Sequence, residues 1–259
     1  MVGVGELQRD VRRRLAEAGV ETAALDARLI VQHALRLSHE ALIADPDRQV
    51  DPVGRDAIEA SIVRRLEHEP VSRIIGEREF FGRSFIVTPD VLDPRPDTET
   101  LIEQVIDIAR LEPRTTGRLR IADIGTGSGA IIVTLLAELD EASGVAVDIS
   151  AAALEVARLN AASLGVEERL EFVQSSWLAG LTGRCDVSVS NPPSVETRPI
   201  ETLPPEVARF DPILALDGGA DGLTAYRHIV PQAFDCLEPG GYLCLETGSG
   251  QANMVLELI

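Results

Sequence analysis

Three short segments carry residue types that could do chemistry, and each follows a run of apolar residues. The first is Asp123-Ile124-Gly125-Thr126-Gly127-Ser128-Gly129-Ala130. Its glycines let the backbone turn tightly and approach a ligand, and the helix that opens behind them offers unpaired N–H groups and positive potential. Such a loop suits an adenosine-bearing cofactor. It does not say which one, because Gly125, Gly127 and Ala130 also satisfy the dinucleotide fingerprint G-x-G-x-x-G/A. A tight strand-to-helix turn without a ligand is the plainer alternative. The second is Asp148, which ends the run Gly144–Asp148. A carboxylate there can accept both ribose hydroxyls of an adenosine. It could instead cap the helix that starts near Ala151, although Ser150 is better placed for that.

The third segment is Asn191-Pro192-Pro193-Ser194. An amide nitrogen is a poor nucleophile because its lone pair is delocalised into the carbonyl. If the Asn191 side-chain oxygen and the Pro192 carbonyl each accept one of its N–H bonds, that nitrogen can be aimed at an electrophilic carbon. The two prolines stiffen the backbone that carries the acceptors, which is preorganisation rather than acid–base work. Hydride transfer to a nicotinamide calls for no such element. A rigid turn at a strand end is the alternative reading of any Asn-Pro pair.

Alternating strands and helices must position these segments. Apolar runs at 118–124, 144–148, 170–174, 186–190 and 242–246 read as five strands, with the helical pattern 151–164 between the second and third. That alternation predicts a parallel, doubly wound α/β sheet of the Rossmann-like kind. The N-terminal residues differ. Leu7, Val11 and Leu15, then Ala24 to Leu35, then Ile58, Ile62, Val63 and Leu66 recur at three- and four-residue intervals, which predicts a small helical bundle. Asp51-Pro52 starts its third helix and Glu69-Pro70 ends it. Between 71 and 92, β-branched and aromatic residues around Gly76 and Gly82 predict a β-hairpin joining the two parts. Its Phe80, Phe81 and Phe85 are expected in core packing between the domains rather than on a ligand. The resulting organisation is a helical domain over 1–70, a hairpin over 71–92 and the α/β domain over 93–259.

Composition narrows the function classes. The chain has 259 residues, 42 acidic and 24 basic, and every basic one is Arg. Residues 1–86 hold 13 Arg and 15 acids, a net of −2, so the remaining −16 lies in the α/β part. That field argues against holding nucleic acid through its phosphates and suits a basic protein partner. Cys185, Cys236 and Cys244 have no C-x-x-C spacing, and His33, His39, His68 and His228 have no ligand spacing, so neither a disulfide framework nor a metal site is expected. No bilayer-spanning run and no signal-peptide core is seen, which predicts a cytoplasmic protein, read here as a monomer without membrane contact.

Together, Asp123–Gly129, Asp148 and Asn191–Pro193 resemble a class I S-adenosylmethionine-dependent methyltransferase acting on planar nitrogen. More narrowly, Glu69-Pro70, the segment Gly76–Gly82, Pro94-Arg95-Pro96-Asp97-Thr98-Glu99, Phe210-Asp211-Pro212 and Leu216–Leu223 are similar to the release factor glutamine methyltransferases. The likeness runs over nearly the whole chain. It implies N5-methylation of the glutamine in the Gly-Gly-Gln motif of class I peptide chain release factors. By that resemblance Asp123, Gly125, Thr126, Gly127, Ser128 and Gly129 hold the methionine end of S-adenosylmethionine, Asp148 its ribose and Trp177 its adenine. Asn191 borders both the cofactor and the glutamine, which Asn191, Pro192, Pro193 and Ser194 grip, while the helical domain docks the release factor.

Three positions depart from the family pattern. Ser194 stands where the family has Tyr, so the aromatic flanking the target amide is missing, and Ser176 replaces an acidic residue before Trp177. The chain also ends at Leu258-Ile259, before the closing β-hairpin expected of the fold, which would leave the fifth strand as an edge. The alternatives are a methyltransferase with another protein amide or adenine N6 as acceptor, a cofactor-binding relative without catalysis, and an oxidoreductase using the dinucleotide fingerprint.

Overall fold

The computed structural model describes residues 2–111 and 118–259. The chain divides into two compact units, Met1–Gly76 and Glu77–Ile259.

The first unit is helical: α1 (Val4–Glu17), α2 (Ala23–Leu35), α3 (His39–Ala44), α4 (Pro52–Leu66) and α5 (Val71–Ile75). The predicted periodicity becomes its core, where Val11, Leu15, Ile30, Ile58 and Ile62 are fully or almost fully buried. Asp51 caps α4 by accepting the Gly54 N–H at 2.7 Å, with Pro52 at the first helical position. Arg65 and Asp26 pair at 2.7 Å inside this unit, both nearly buried. Residues 71–75 depart from the expected hairpin. Pro70 enters in an extended conformation, a helical turn follows, and Gly76 stops it at φ +79°. β-Branched Ile74 and Ile75 looked like strand, but the start and stop residues on either side decide the local structure.

The second unit begins with the hairpin, β1 (Glu77–Phe80) and β2 (Arg83–Ile86). Then come α6 (Glu99–Leu111), β3 (Arg120–Ile124), α7 (Ala130–Glu138), β4 (Ser143–Asp148), α8 (Ala151–Ser163), β5 (Leu170–Gln174) and β6 (Cys185–Ser190). Three short or irregular stretches lead through α9 (Pro205–Ala208) and α10 (Ile213–Leu216) to α11 (Thr224–Cys236), β7 (Leu237–Leu245) and α12 (Ala252–Leu256). β3 to β7 form one parallel sheet in the order β5-β4-β3-β6-β7. Chain order reverses direction on either side of β3, so a switch point lies between β3 and β6, where open α/β sheets bind ligands.

Side chains of β3 alternate between two cores. Ile121 packs with Ile102, Val105 and Leu135 of α6 and α7, while Ala122 and Ile124 pack with Ala225, Ile229 and Ala233 of α11 on the opposite face. Phe80 and Phe85 are edge-to-face, 6.0 Å apart, in the first of these cores. These two hairpin phenylalanines therefore serve the core of the second unit itself. β7 is longer than the sequence suggests, because the turn-like Glu238-Pro239-Gly240-Gly241 is absorbed as a bulge between the pairs Cys185/Leu237 and Val187/Tyr242. Among the described residues β5 and β7 are the two edges of this sheet, and no helix is long and apolar enough to cross a membrane.

Candidate active site

All three chemical segments arrive at the carboxyl ends of adjacent strands. They surround a cleft of about 350 Å³, which lies in the size range of small-molecule sites. Gly125, Thr126, Gly127 and Ser128 line it after β3, Asp148 after β4, Trp177 after β5, and Asn191 and Pro193 after β6.

The glycine loop is held from below. Gly125 and Thr126 donate their N–H groups to the Val147 carbonyl of β4, and Gly127 donates to the Asp148 carboxylate at 2.9 Å. Gly127 has φ +55°, and a Cβ there would meet nothing within 4 Å, so the loop leaves open space on its outer side. Gly129 is required for a different reason. At φ +78° a Cβ would lie 3.1 Å from that of Ala157 and 3.2 Å from Val133, so only glycine lets α7 start this close to α8.

Asp148 keeps one carboxylate oxygen on Gly127 and the other on the Ser150 N–H, also at 2.9 Å. Burial raises its pKa, and the backbone hydrogen bonds pull against that rise. Capping of α8 falls to Ser150, which accepts the Ala153 N–H, so Asp148 has no capping duty. The indole of Trp177 lies nearly parallel to the ring of His228, 6.0 Å between centroids and 12° between planes. Asn191 is set by its neighbours in β6: the Ser190 hydroxyl donates to the Ile124 carbonyl of β3 at 2.6 Å, and the Ser190 carbonyl accepts from Glu246. Its Nδ2 donates to the Thr98 hydroxyl at 3.1 Å.

Four of the sequence-derived site residues do not line the cleft. Asp123 is wholly buried beneath the loop and accepts the Thr126 hydroxyl at 2.7 Å. Gly129 faces α8, and Pro192 is buried. The Ser194 carbonyl accepts from Gln251 at 2.9 Å, and the residue is not part of the cleft lining.

Burial lifts the Asp123 pKa to about 7, against the downward pull of the Thr126 hydroxyl. The folded value thus lies above the unfolded one. From about pH 4 to about 7 the folded state holds a proton that the unfolded chain has lost, so stability falls as pH rises through that window and levels off above it. Asp123→Asn removes this slope. Thermal midpoints of variant and wild type recorded across the window check it, the difference between the two curves growing with pH.

Sequence reasoning missed several residues around the cleft. Arg95 lines it and pairs with Asp211 at 2.5 Å, beside Leu214 and Ala215 of α10. Asn160 on α8 is 1% exposed and ties two elements together: it accepts the Ile86 N–H at 2.7 Å and donates to the carbonyls of Ile86 and Ser128. The hairpin and the glycine loop are therefore clamped to α8 by one side chain. Asn160→Ala leaves three backbone groups without their partner and is expected to cost about 2–3 kcal/mol, measurable by urea denaturation.

The chain is similar to known proteins over most of its length. The profile described as PrmC N-terminal domain matches residues 6–76, and that described as Methyltransferase small domain matches residues 103–203. A release factor glutamine methyltransferase of Bradyrhizobium diazoefficiens is 46% identical over 97% of this chain and 84% of its own length. The chain belongs to the release factor glutamine methyltransferase family. Relatives of the same name from Rhodospirillum rubrum and Moorella thermoacetica are 48% and 43% identical, each over 95% of this chain and over 74% and 86% of their own lengths. The catalytic domain of hMettl16, in complex with a 3′UTR hairpin, has a TM-score of 0.55 at 19% identity over 80% of this chain and 71% of its own, a likeness of fold. Of the two substitutions that set this chain apart from the expected pattern, Ser176 lines the cleft and Ser194 does not.

Proposed function

We propose that this chain transfers a methyl group from S-adenosylmethionine to the side-chain amide nitrogen of the glutamine in the Gly-Gly-Gln motif of class I peptide chain release factors. The observation that carries this reading is the convergence of Gly127, Asp148 and Asn191 on one cleft at the switch point of the sheet, in a chain 46% identical to a release factor glutamine methyltransferase.

The residues present fit the cofactor. The open outer side of Gly127 leaves room for a ligand to approach the backbone, and the loop and Trp177 both line the cleft. Gly125–Ser128 would hold the methionine end, Asp148 the ribose hydroxyls and Trp177 the adenine face. Both Asp148 oxygens already accept backbone N–H groups, which hold the carboxylate in place, and each oxygen keeps a further lone pair for a ligand hydroxyl. Asp123 and Gly129 act beneath the loop, shaping it rather than touching the ligand. When bound, S-adenosylmethionine supplies a methyl group on a sulfonium.

Everything else in the reaction is positioning. Asn191 Oδ1 accepts an N–H bond of the glutamine amide, which fixes its nitrogen and turns it toward the incoming carbon, while Pro192, expected as the second acceptor, is buried outside the cleft lining. Pro193 keeps that backbone rigid. Among the described residues no group of three or more His, Cys, Asp or Glu could hold a metal ion, and the reading needs none. The proton shed by the product amide leaves to water. The helical unit docks the release factor, and the acidity of the second unit suits a basic protein surface. Methyl transfer from tritiated cofactor to release factor, to total protein and to DNA in parallel tests the acceptor class. Label in the release factor alone supports the reading, and label in DNA overturns it.

A further inference from the structure

Trp177 is the only tryptophan in the chain, and it lines the cleft in the turn that follows β5. Its backbone lies in the left-handed region, at φ +53°. A bulky residue rarely adopts that conformation, because its Cβ crowds its own backbone, so the surroundings must hold it there.

The turn is pinned on both sides of the indole. Before it, Ser175 donates its N–H to the Asp148 carbonyl at 3.0 Å, and the Ser175 hydroxyl accepts from Gly180 at 2.8 Å. After it, the Leu178 N–H donates to the Gln232 side chain of α11 at 2.9 Å, and Leu178 itself is 2% exposed. One end of the turn is thus tied to the strand that presents Asp148, and the other to α11.

His228 lies one helical turn before Gln232, on the same side of α11. Its ring stacks on the indole, 6.0 Å between centroids and 12° between planes, within the range of an aromatic pair. His228 is exposed and does not line the cleft, so it supports the indole from outside the site. An unsupported indole could turn about its side-chain torsions, and ordering it would then be charged against ligand binding. Ser176, beside it on the cleft wall, brings a hydroxyl and no charged acceptor. The flat face of Trp177 is accordingly the main thing this turn offers to a purine.

We propose that His228 is a positioning residue for the cofactor: its ring backs Trp177 and fixes the indole in the orientation that receives the adenine. This rests on the cofactor reading above and deepens it. His228 acts only through Trp177, so its effect falls on the adenosine end of the ligand.

The test uses the lone tryptophan as its own probe. His228→Ala removes the stacked ring, and His228→Phe restores a flat ring without the imidazole nitrogens. Because the position is exposed, the thermal midpoint of both variants stays near wild type. In His228→Ala the Kd for S-adenosylhomocysteine by calorimetry rises about three- to tenfold, the factor that one aromatic pair is worth. The Kd for adenosine, which has no methionine end, rises by the same factor, and the anisotropy of Trp177 emission falls in the ligand-free protein. His228→Phe returns both Kd values to within about twofold of wild type. A His228→Ala protein with wild-type affinity for both ligands overturns the proposal. So does a loss confined to S-adenosylhomocysteine, or a His228→Phe protein no better than His228→Ala. A wild type that binds neither ligand overturns the cofactor reading and this proposal with it, whereas failure confined to the variants leaves that reading standing.

Discussion

Asn191→Ala is expected to reduce turnover by about 10³-fold or more while cofactor affinity changes by no more than about threefold. Truncation removes the Oδ1 acceptor that orients the target nitrogen, and the neighbouring Ser190 hydroxyl cannot replace it because it is committed to the Ile124 carbonyl. The only described hydrogen bond lost within the protein is the one to Thr98, at a partly buried site, so the fold loses about 1 kcal/mol. Single-turnover rates with saturating cofactor, set beside calorimetry with S-adenosylhomocysteine, separate the two effects. A variant that methylates at a near-normal rate would remove Asn191 from the reaction.

Asp148→Ala has the opposite signature. Two charge-assisted hydrogen bonds to ribose hydroxyls, at about 1.5–3 kcal/mol each, put the loss of cofactor affinity at roughly 10²- to 10⁴-fold. The same carboxylate holds the Gly127 N–H at 2.9 Å, so the glycine loop loosens when it goes. Measured by calorimetry, Kd rises by that factor while kcat at saturating cofactor recovers most of the wild-type value. Unchanged affinity would mean that Asp148 serves the loop alone.

What could be read from the sequence was whatever sits beside a strand end. Asp123–Gly129, Asp148 and Asn191–Pro193 each terminate an apolar run, and in a parallel sheet such ends lie side by side, so their meeting at one edge follows from the alternation itself. Residues that act across long sequence distances left no such trace. Thr98 and Asn160 are polar residues on a short turn and inside an alanine-rich helix, and only the folded chain brings them to Asn191 and Ser128. The segment that holds Thr98 resembled the family, but the resemblance gave Thr98 no role.

Local structure was misread where short signals compete. Ile74-Ile75-Gly76 has the residues of a strand and the flanks of a helix, and the flanks prevailed because Pro70 and Gly76 fix the backbone at both ends. α3 is only six residues long, too short for periodicity, and its sole signature is Ser38 accepting the Ala41 N–H. In β7, Pro239-Gly240-Gly241 reads as a turn, yet pairing with β6 on both sides carries it as a bulge. Ser194 was expected at the substrate and is not part of the cleft lining, its carbonyl accepting from Gln251.

The account stands on one covalent event. A purified class I release factor is incubated with this protein and S-adenosylmethionine, digested, and its Gly-Gly-Gln peptide sequenced by tandem mass spectrometry. The account predicts a gain of one methyl group on the glutamine side-chain nitrogen in the wild type and none with Asn191→Ala. An unmodified glutamine after exhaustive incubation, or a methyl group on any other residue, would contradict it.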